Sequence, residues 1–416
     1  MKRIFRDKKG SYTVFVTIAF SAVLIMVIAV ISAAGQQAIG STAQHFGRLW
    51  GRSILAEYDR TLKDRYGLFG FYGNEFLVEE KLDFYAGYSF NEKEYINYSG
   101  SKCSLDGKAL TEKEVFKEQL KEITAAVSEP HPLFKTTGGE DSPTASQGKR
   151  SINSQRIIQS LPSKGRRGGP GVTGLIEMIK AGTPISSIIS ETAQNVYAFR
   201  FFRHRFSDDE LGDTFFDCEI EYIISGRTSD EKAMKSIEND LLLLRNGMNL
   251  VYLYSCKEKR RAVAAAAQAA TPGPAAVVTQ ALIMETWAFL EAKNDFKILC
   301  DNKPVRFMKY DENWAVSLEN VLSLLFSENE ETGEDTNSES IGYIKPKKME
   351  GMNYEGYLRL LFGIVPEEIR LQRMMDIIQI NMKYLYCGAF LLEDYYAGLG
   401  FSFRVNERVY EFNEDY

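Results

Sequence analysis

Residues 11–34, SYTVFVTIAFSAVLIMVIAVISAA, contain no charged side chain. As a helix rising 1.5 Å per residue, this stretch is about 36 Å long, enough to cross a hydrocarbon core of roughly 30 Å. A continuous helix satisfies its own backbone groups, which lipid cannot do. Thr13, Thr17, Ser21 and Ser32 are compatible with it, because a hydroxyl can bond back to the preceding turn. The stretch predicts one transmembrane helix, and the rest of the chain must be arranged around it.

The flanks predict an orientation. Lys2, Arg3, Arg6, Lys8 and Lys9 precede the segment with one acid, Asp7, and no formal charge follows until Arg48. The positive-inside rule then keeps residues 1–10 cytoplasmic as a basic N-terminus, sets 11–34 in the bilayer and exports the remainder. A cleaved signal peptide is the competing reading, with Ser32-Ala33-Ala34 as an acceptable cleavage site, but the apolar run exceeds the usual signal core. The expected location is the cell membrane, single-pass, with an extracytoplasmic C-terminal domain and the lipid bilayer as a partner.

The whole chain carries a formal charge of −6, and setting aside the five N-terminal bases and one acid leaves −10. An acidic exported part argues against nucleic acid as a partner. The five cysteines, Cys103, Cys218, Cys256, Cys300 and Cys387, form no CxxC pair, so at least one is free or bonded to another molecule. His45, His131 and His204 are the only histidines, too few to favour a zinc site. No motif calls for a cofactor.

After the membrane segment, Ile39, Ala43, Phe46, Trp50, Ile54, Tyr58 and Leu62 recur at three or four residues. That spacing predicts a helical stalk over 35–65, continuous with the membrane segment to Arg65. Gly35, Gly40, Gly47 and Gly51 predict a bend or a close-packing surface within it. Residues 66–416 are expected to form one extracytoplasmic α+β domain, rich in helix with a small, mainly antiparallel sheet. Within it, 128–174 and 327–340 read as mobile segments, although residues 157–162 could dock locally.

Several elements are expected in that domain. The stretch containing the aromatic run 84–90 is mixed, and Thr111 with Glu114 signals a capped helix carrying Phe116 and Leu120. Residues 215–224, FFDCEIEYII, read as a strand closed by Gly226, with Glu219 and Glu221 on one solvent-facing side. Met234, Ile237, Leu241, Leu244, Met248, Val251 and Leu253 mark a long helix that Ala262 and its neighbours extend to residue 270. Thr271-Pro272-Gly273-Pro274 breaks it, and a second helix over 275–293 folds back. Gln280, Glu285 and Glu291 make that second helix a core element and not a second span. Residues 305–308 suggest a short strand, a helix ends near Phe326, two helices occupy 354–362 and the stretch after Pro366, and 401–412 closes as a strand or hairpin edge.

Candidate sites are sparse. Gly169, Gly171 and Gly174 fit G-x-G-x-x-G, but no apolar strand precedes them and Pro170 sits in the turn, so a loop is the better reading. Lys164, Arg166 and Arg167 form a basic patch, and no G-x-S-x-G elbow accompanies a partnered histidine. Arg373, Asp376, Gln379 and Asn381 stand in an otherwise apolar helix at spacings that allow one polar network, either structural or binding.

The basic start with Gly10, the long apolar helix, and Ala56-Glu57-Tyr58-Asp59 followed by Tyr66-Gly67-Leu68-Phe69 resemble a family of uncharacterised, singly anchored proteins of clostridial-type bacteria. Residues 218–223, 239–249, 291–299 with Trp314, and 354–361 with Arg373-Met374-Met375-Asp376 agree with it, so the resemblance covers most of the chain. Such proteins are similar to the TadE-like and TadG-like accessory pilins of tight-adherence (type IVb) pilus systems. The resemblance implies a non-enzymatic accessory component of a Tad-like pilus or related secretion apparatus, with that apparatus's membrane subunits as partners and self-association among its contacts. An anchored surface protein binding cell wall or a ligand is the alternative. Pilin precursors are cut after a glycine such as Gly10 and carry glutamate at the fifth position beyond, where this chain has Phe15. That substitution favours a retained anchor over a processed shaft subunit.

Overall fold

The computed structural model describes residues 9–91, 93, 95–125, 151–166, 168–185, 192–207, 213–326 and 343–416. The expected mobile segment 327–340 lies outside these residues, as do 128–150 of the other. The chain divides into two compact units. One comprises Met1–Lys63, Phe69–Leu110 and Glu393–Tyr416, and the other Asp64–Leu68 and Thr111–Leu392.

The first unit is built on one helix, Lys9–Leu55, of 47 residues. Its length is about 70 Å. Among the described residues it is the one helix long and apolar enough to cross a membrane, and none of its most apolar window is buried. The helix runs unbroken through Gly35, Gly40, Gly47 and Gly51 but stops at Leu55, short of the expected end at Arg65. Asp59 then accepts the Leu62 N–H at 2.9 Å and starts a separate helix, Arg60–Tyr66. A carboxylate that caps a new first turn ends the continuity that the apolar spacing alone suggested.

The second half of the long helix packs on a three-stranded antiparallel sheet in the order Tyr98–Ser104, Gly398–Val405, Arg408–Asp415. Phe401 pairs with Phe412 and Phe403 with Tyr410. The two-residue turn Asn406-Glu407 has φ of 48° and 68°, the left-handed pair that matches hairpin twist. Trp50 sits 4.9 Å from the Phe403 ring and donates its indole N–H to Ser89 at 3.0 Å. Ser89 belongs to the helix Glu75–Phe90, which Asn74 caps. Residues 84–90, expected as mixed structure, are therefore its last turns, with Ala86 and Phe90 buried.

The second unit is helical around Glu367–Asn381, which is buried on nearly all sides. Asp230–Ser255 begins at its Ser229 cap and lies against Ala276–Cys300. The chain turns extended at Cys256 before Lys257–Ala270, so the single helix expected over 230–270 is two. Leu253, Ile283, Met284, Trp287, Trp314 and Val321 form one core cluster. Both indole N–H groups, Trp287 and Trp314, donate to the Val316 carbonyl at 2.8 Å.

Two expected strands fail here. Residues 215–224 contain no strand: Glu219–Ser225 is a helix, ended by Gly226 at φ 68°. Glutamates near its N-terminus and a left-handed glycine beyond its C-terminus are helix signals that outweigh the β-branched composition. Residues 305–308 contribute one isolated bridge, Val305 to Met352, because no neighbouring strand extends the ladder.

Candidate functional site

The helix Glu367–Asn381 projects polar groups into a closed interior. Arg373, Asp376, Gln379 and Asn381 are each at most 2% exposed. Burial at this level is tolerable only if each polar atom finds a partner. The Arg373 guanidinium donates to the carbonyls of Ile223 at 2.9 Å and Ile224 at 2.8 Å, and to those of Arg166 and Gly168. These are end carbonyls of the Glu219–Ser225 helix and of the neighbouring loop, so one planar fork ties two segments together. Gly226 makes room for it, since a Cβ there would fall on the guanidinium.

Asp376 accepts from the Ser163 N–H at 2.8 Å and the Tyr222 hydroxyl at 2.9 Å. Gln379 donates to Ser160 O at 2.8 Å and accepts from Leu392 N–H at 3.0 Å. Asn381 accepts from Phe215 N–H at 2.8 Å and donates to the Tyr66 hydroxyl and to Glu219. The described part of 128–174 is thus held by this helix, with Ile152 and Leu161 buried.

Glu219 and Glu221, expected on a solvent edge, have no exposure at all. Glu219 accepts from Arg203 N–H at 2.8 Å, and Glu221 from Arg205 N–H and the Tyr354 hydroxyl, each at 3.1 Å. Burial pushes both carboxyls up to about 7, and Asp376 up to about 6, with the hydrogen bonds opposing it. Burial also pushes the Cys218 thiol up, away from the thiolate a nucleophile needs. These groups can exchange protons with the medium as the pH changes, but their side chains present no surface to a substrate.

A second buried set was not singled out in the sequence. Arg245 pairs with Asp295 at 2.9 Å, and Lys309 reaches both Asp295 and Glu291 at 2.6 Å. Two cations and two anions, all at 2% side-chain exposure or less, neutralise one another. Arg245 also donates to Phe307 O at 2.7 Å and to the Tyr357 hydroxyl at 3.1 Å. The readable signal was Glu291 and Asp295 falling four apart in line with Trp287 and Ala288, charges on an apolar face.

The remaining candidates are dispersed. Gly10 is helical, and Phe15 is 68% exposed on the same helix. A Cβ at Gly47 would fall inside the Phe412 ring, and one at Gly51 would lie 2.8 Å from Glu414 and 3.1 Å from Phe401. A Cβ at Gly40 would lie 3.5 Å from the Tyr410 hydroxyl, and one at Gly35 would meet nothing within 4 Å. Gly171 leads into the helix Val172–Lys180 without a preceding strand, and Arg166 pairs with Glu368 at 2.9 Å. Arg167 and His131 lie outside the described residues. Among the described residues no disulfide joins the cysteines, and no group of His, Cys, Asp and Glu could hold a metal ion.

Residues 142–407 match the model of a family of unknown function, DUF5702. No curated protein and no solved structure matches the chain.

Proposed function

The chain belongs to the DUF5702 family, whose function is unknown, and on that premise we propose that it is a non-enzymatic, single-pass membrane-anchored accessory component of a Tad-like pilus or related secretion apparatus. Its N-terminus is cytoplasmic and its C-terminal part extracytoplasmic in this reading. One observation carries it: a single helix is free over its apolar first half and packed on its own antiparallel hairpin over its second.

The two halves have different physical needs. The exposed run from Tyr12 to Ile31 presents large apolar side chains in all directions, which only lipid or other apolar helices can cover. The distal half is held to the sheet by Trp50 and by the close approach at Gly47 and Gly51. A rigid joint of this kind transmits the position of the anchored helix to the hairpin. Phe15, large and apolar, suits a helix that stays in the membrane beside other anchored helices; a glutamate there would need a partner's ammonium.

N-terminal sequencing of membrane-extracted protein, combined with crosslinking from the 11–34 helix, tests the proposal. An intact N-terminus crosslinked to other single-pass subunits of a pilus or secretion assembly is expected. Cleavage after Ala34, or an anchor that crosslinks to lipid alone while deletion of the gene leaves surface filaments unchanged, would overturn it.

A further inference from the structure

The last strand of the hairpin runs alongside the Lys9–Leu55 helix and in the same direction. Arg408 donates to the Gln36 side chain at 3.1 Å, and a Cβ at Gly40, Gly47 or Gly51 would meet Tyr410, Phe412 or Glu414 in turn. From Gln36 to Gly51 the helix rises about 22 Å, and from Arg408 to Glu414 the strand covers about 20 Å, so the two keep pace. The turn Asn406-Glu407, which precedes Arg408, therefore points back along the helix toward Ala34.

That turn carries a second segment with it. Asn406 donates its side-chain amide to the Tyr95 carbonyl at 2.9 Å and accepts the Asn97 N–H at 2.7 Å, while its own N–H goes to the Asn97 carbonyl at 2.9 Å. These three bonds clasp residues 95–97 to the turn as one end of the first unit. The protein leaves this end uncovered: Tyr95 is 61% exposed and Val409 52%, and Glu407 and Arg408 are exposed with one charge of each sign. The headgroup layer of a bilayer is about 5–8 Å thick on each side of the hydrocarbon. Gln36 stands only about 3 Å past Ala34, the end of the apolar stretch, so a turn level with it or below it falls within that layer. Tyrosine suits such a depth, with an apolar ring and a hydroxyl that stays wet.

We infer, resting on the anchored helix proposed above, that this end of the first unit seats in the phospholipid headgroups of the bilayer that the helix enters, with Tyr95 and Val409 as its lipid contacts. The span and the seat are two separate supports. Together they set the tilt of the helix and hold the hairpin upright on the membrane surface.

The test is tryptophan depth quenching in the full chain, reconstituted in phosphatidylcholine vesicles brominated either near the headgroups or near the acyl-chain ends. The emission that Tyr95→Trp adds to that of the unaltered chain is expected to be lost mostly to the shallow bromines and little to the deep ones. Val409→Trp, a second probe at an exposed position, should behave in the same way. Ile25→Trp, within the apolar stretch, should show the reverse preference. Tyr88→Trp, 85% exposed but beside the Ser89 that holds Trp50 and so about 24 Å past Ala34, should lose nothing. Undiminished emission from both Tyr95→Trp and Val409→Trp, with Ile25→Trp quenched by the deep bromines, would overturn the seat and leave the anchor standing. Quenching of Tyr88→Trp as strong as that of Tyr95→Trp would overturn it too, since the unit would then lie along the membrane. An unquenched Ile25→Trp would overturn the anchored helix and the seat together.

Discussion

Raising the pH from about 5 to about 8 should destabilise the second unit by several kcal/mol. Burial holds Glu219 and Glu221 at about 7, against an ordinary 4.5, and Asp376 at about 6, against 3.8. Between each pair of values the folded chain binds more protons than the unfolded one, so stability falls as pH rises. The contribution is fully present below about 4.5 for the glutamates and is lost as the pH passes about 7; for Asp376 the window is about 3.8 to about 6. At 1.36 kcal/mol per pH unit, each group accounts for ~3 kcal/mol. The groups facing Glu219, namely the Arg203 N–H, Asn381 and the more distant Arg65, oppose the shift without cancelling it. The assay is denaturant unfolding of the detergent-solubilised full chain at stepped pH, followed by the fluorescence of Trp287 and Trp314, which sit in this unit's core. Glu219→Gln, which cannot ionise, should remove ~3 kcal/mol of the pH dependence. A midpoint that is flat or rising between about pH 5 and pH 7, or an undiminished slope in Glu219→Gln, would refute the reasoning.

Gly47→Leu should destabilise the first unit by about 1–3 kcal/mol, because the new side chain must displace the Phe412 ring stacked 5.0 Å from Phe401; Trp50 fluorescence on heating reports it. Gly35→Ala, whose Cβ meets nothing, should instead gain up to about 1 kcal/mol by helix propensity in the same measurement. Arg245→Met should cost about 3–5 kcal/mol in denaturant unfolding, since Asp295 keeps its buried charge and loses its arginine. Gly226→Ala should cost about 1–2 kcal/mol from its positive φ alone, and more because its Cβ meets the Arg373 guanidinium; faster amide exchange in residues 219–225 would show it.

What was legible in the chain is what neighbours in sequence decide. The apolar run of 11–34, the face from Ile237 to Leu253, the Pro-Gly break at 272–273 and the strand pattern over 401–412 are all local patterns: the first two became helices, the third a break and the last a hairpin. Residues 215–224 show where that logic stops. Alternation and β-branching argue for a strand, but the carboxyls of Glu219 and Glu221 are claimed by Arg203 N–H, Arg205 N–H, Asn381 and Tyr354, groups that no short window contains. Arg373, Asp376, Gln379 and Asn381 were conspicuous as polar residues in an apolar helix. Their acceptors and donors at 160–168 and 215–224 were not, because those are set by folding. The family match over 142–407 falls on the polar core and the first strand of the hairpin, and it leaves the Lys9–Leu55 helix outside. The two parts therefore answer to different tests: perturbing the Arg373 and Arg245 networks asks how the family domain is held together, whereas changing Phe15 or Gly47 asks what the long apolar helix contacts. A variant such as Phe15→Glu, distant in the chain from both networks, should leave domain stability unchanged and alter only the crosslinking of the Lys9–Leu55 helix.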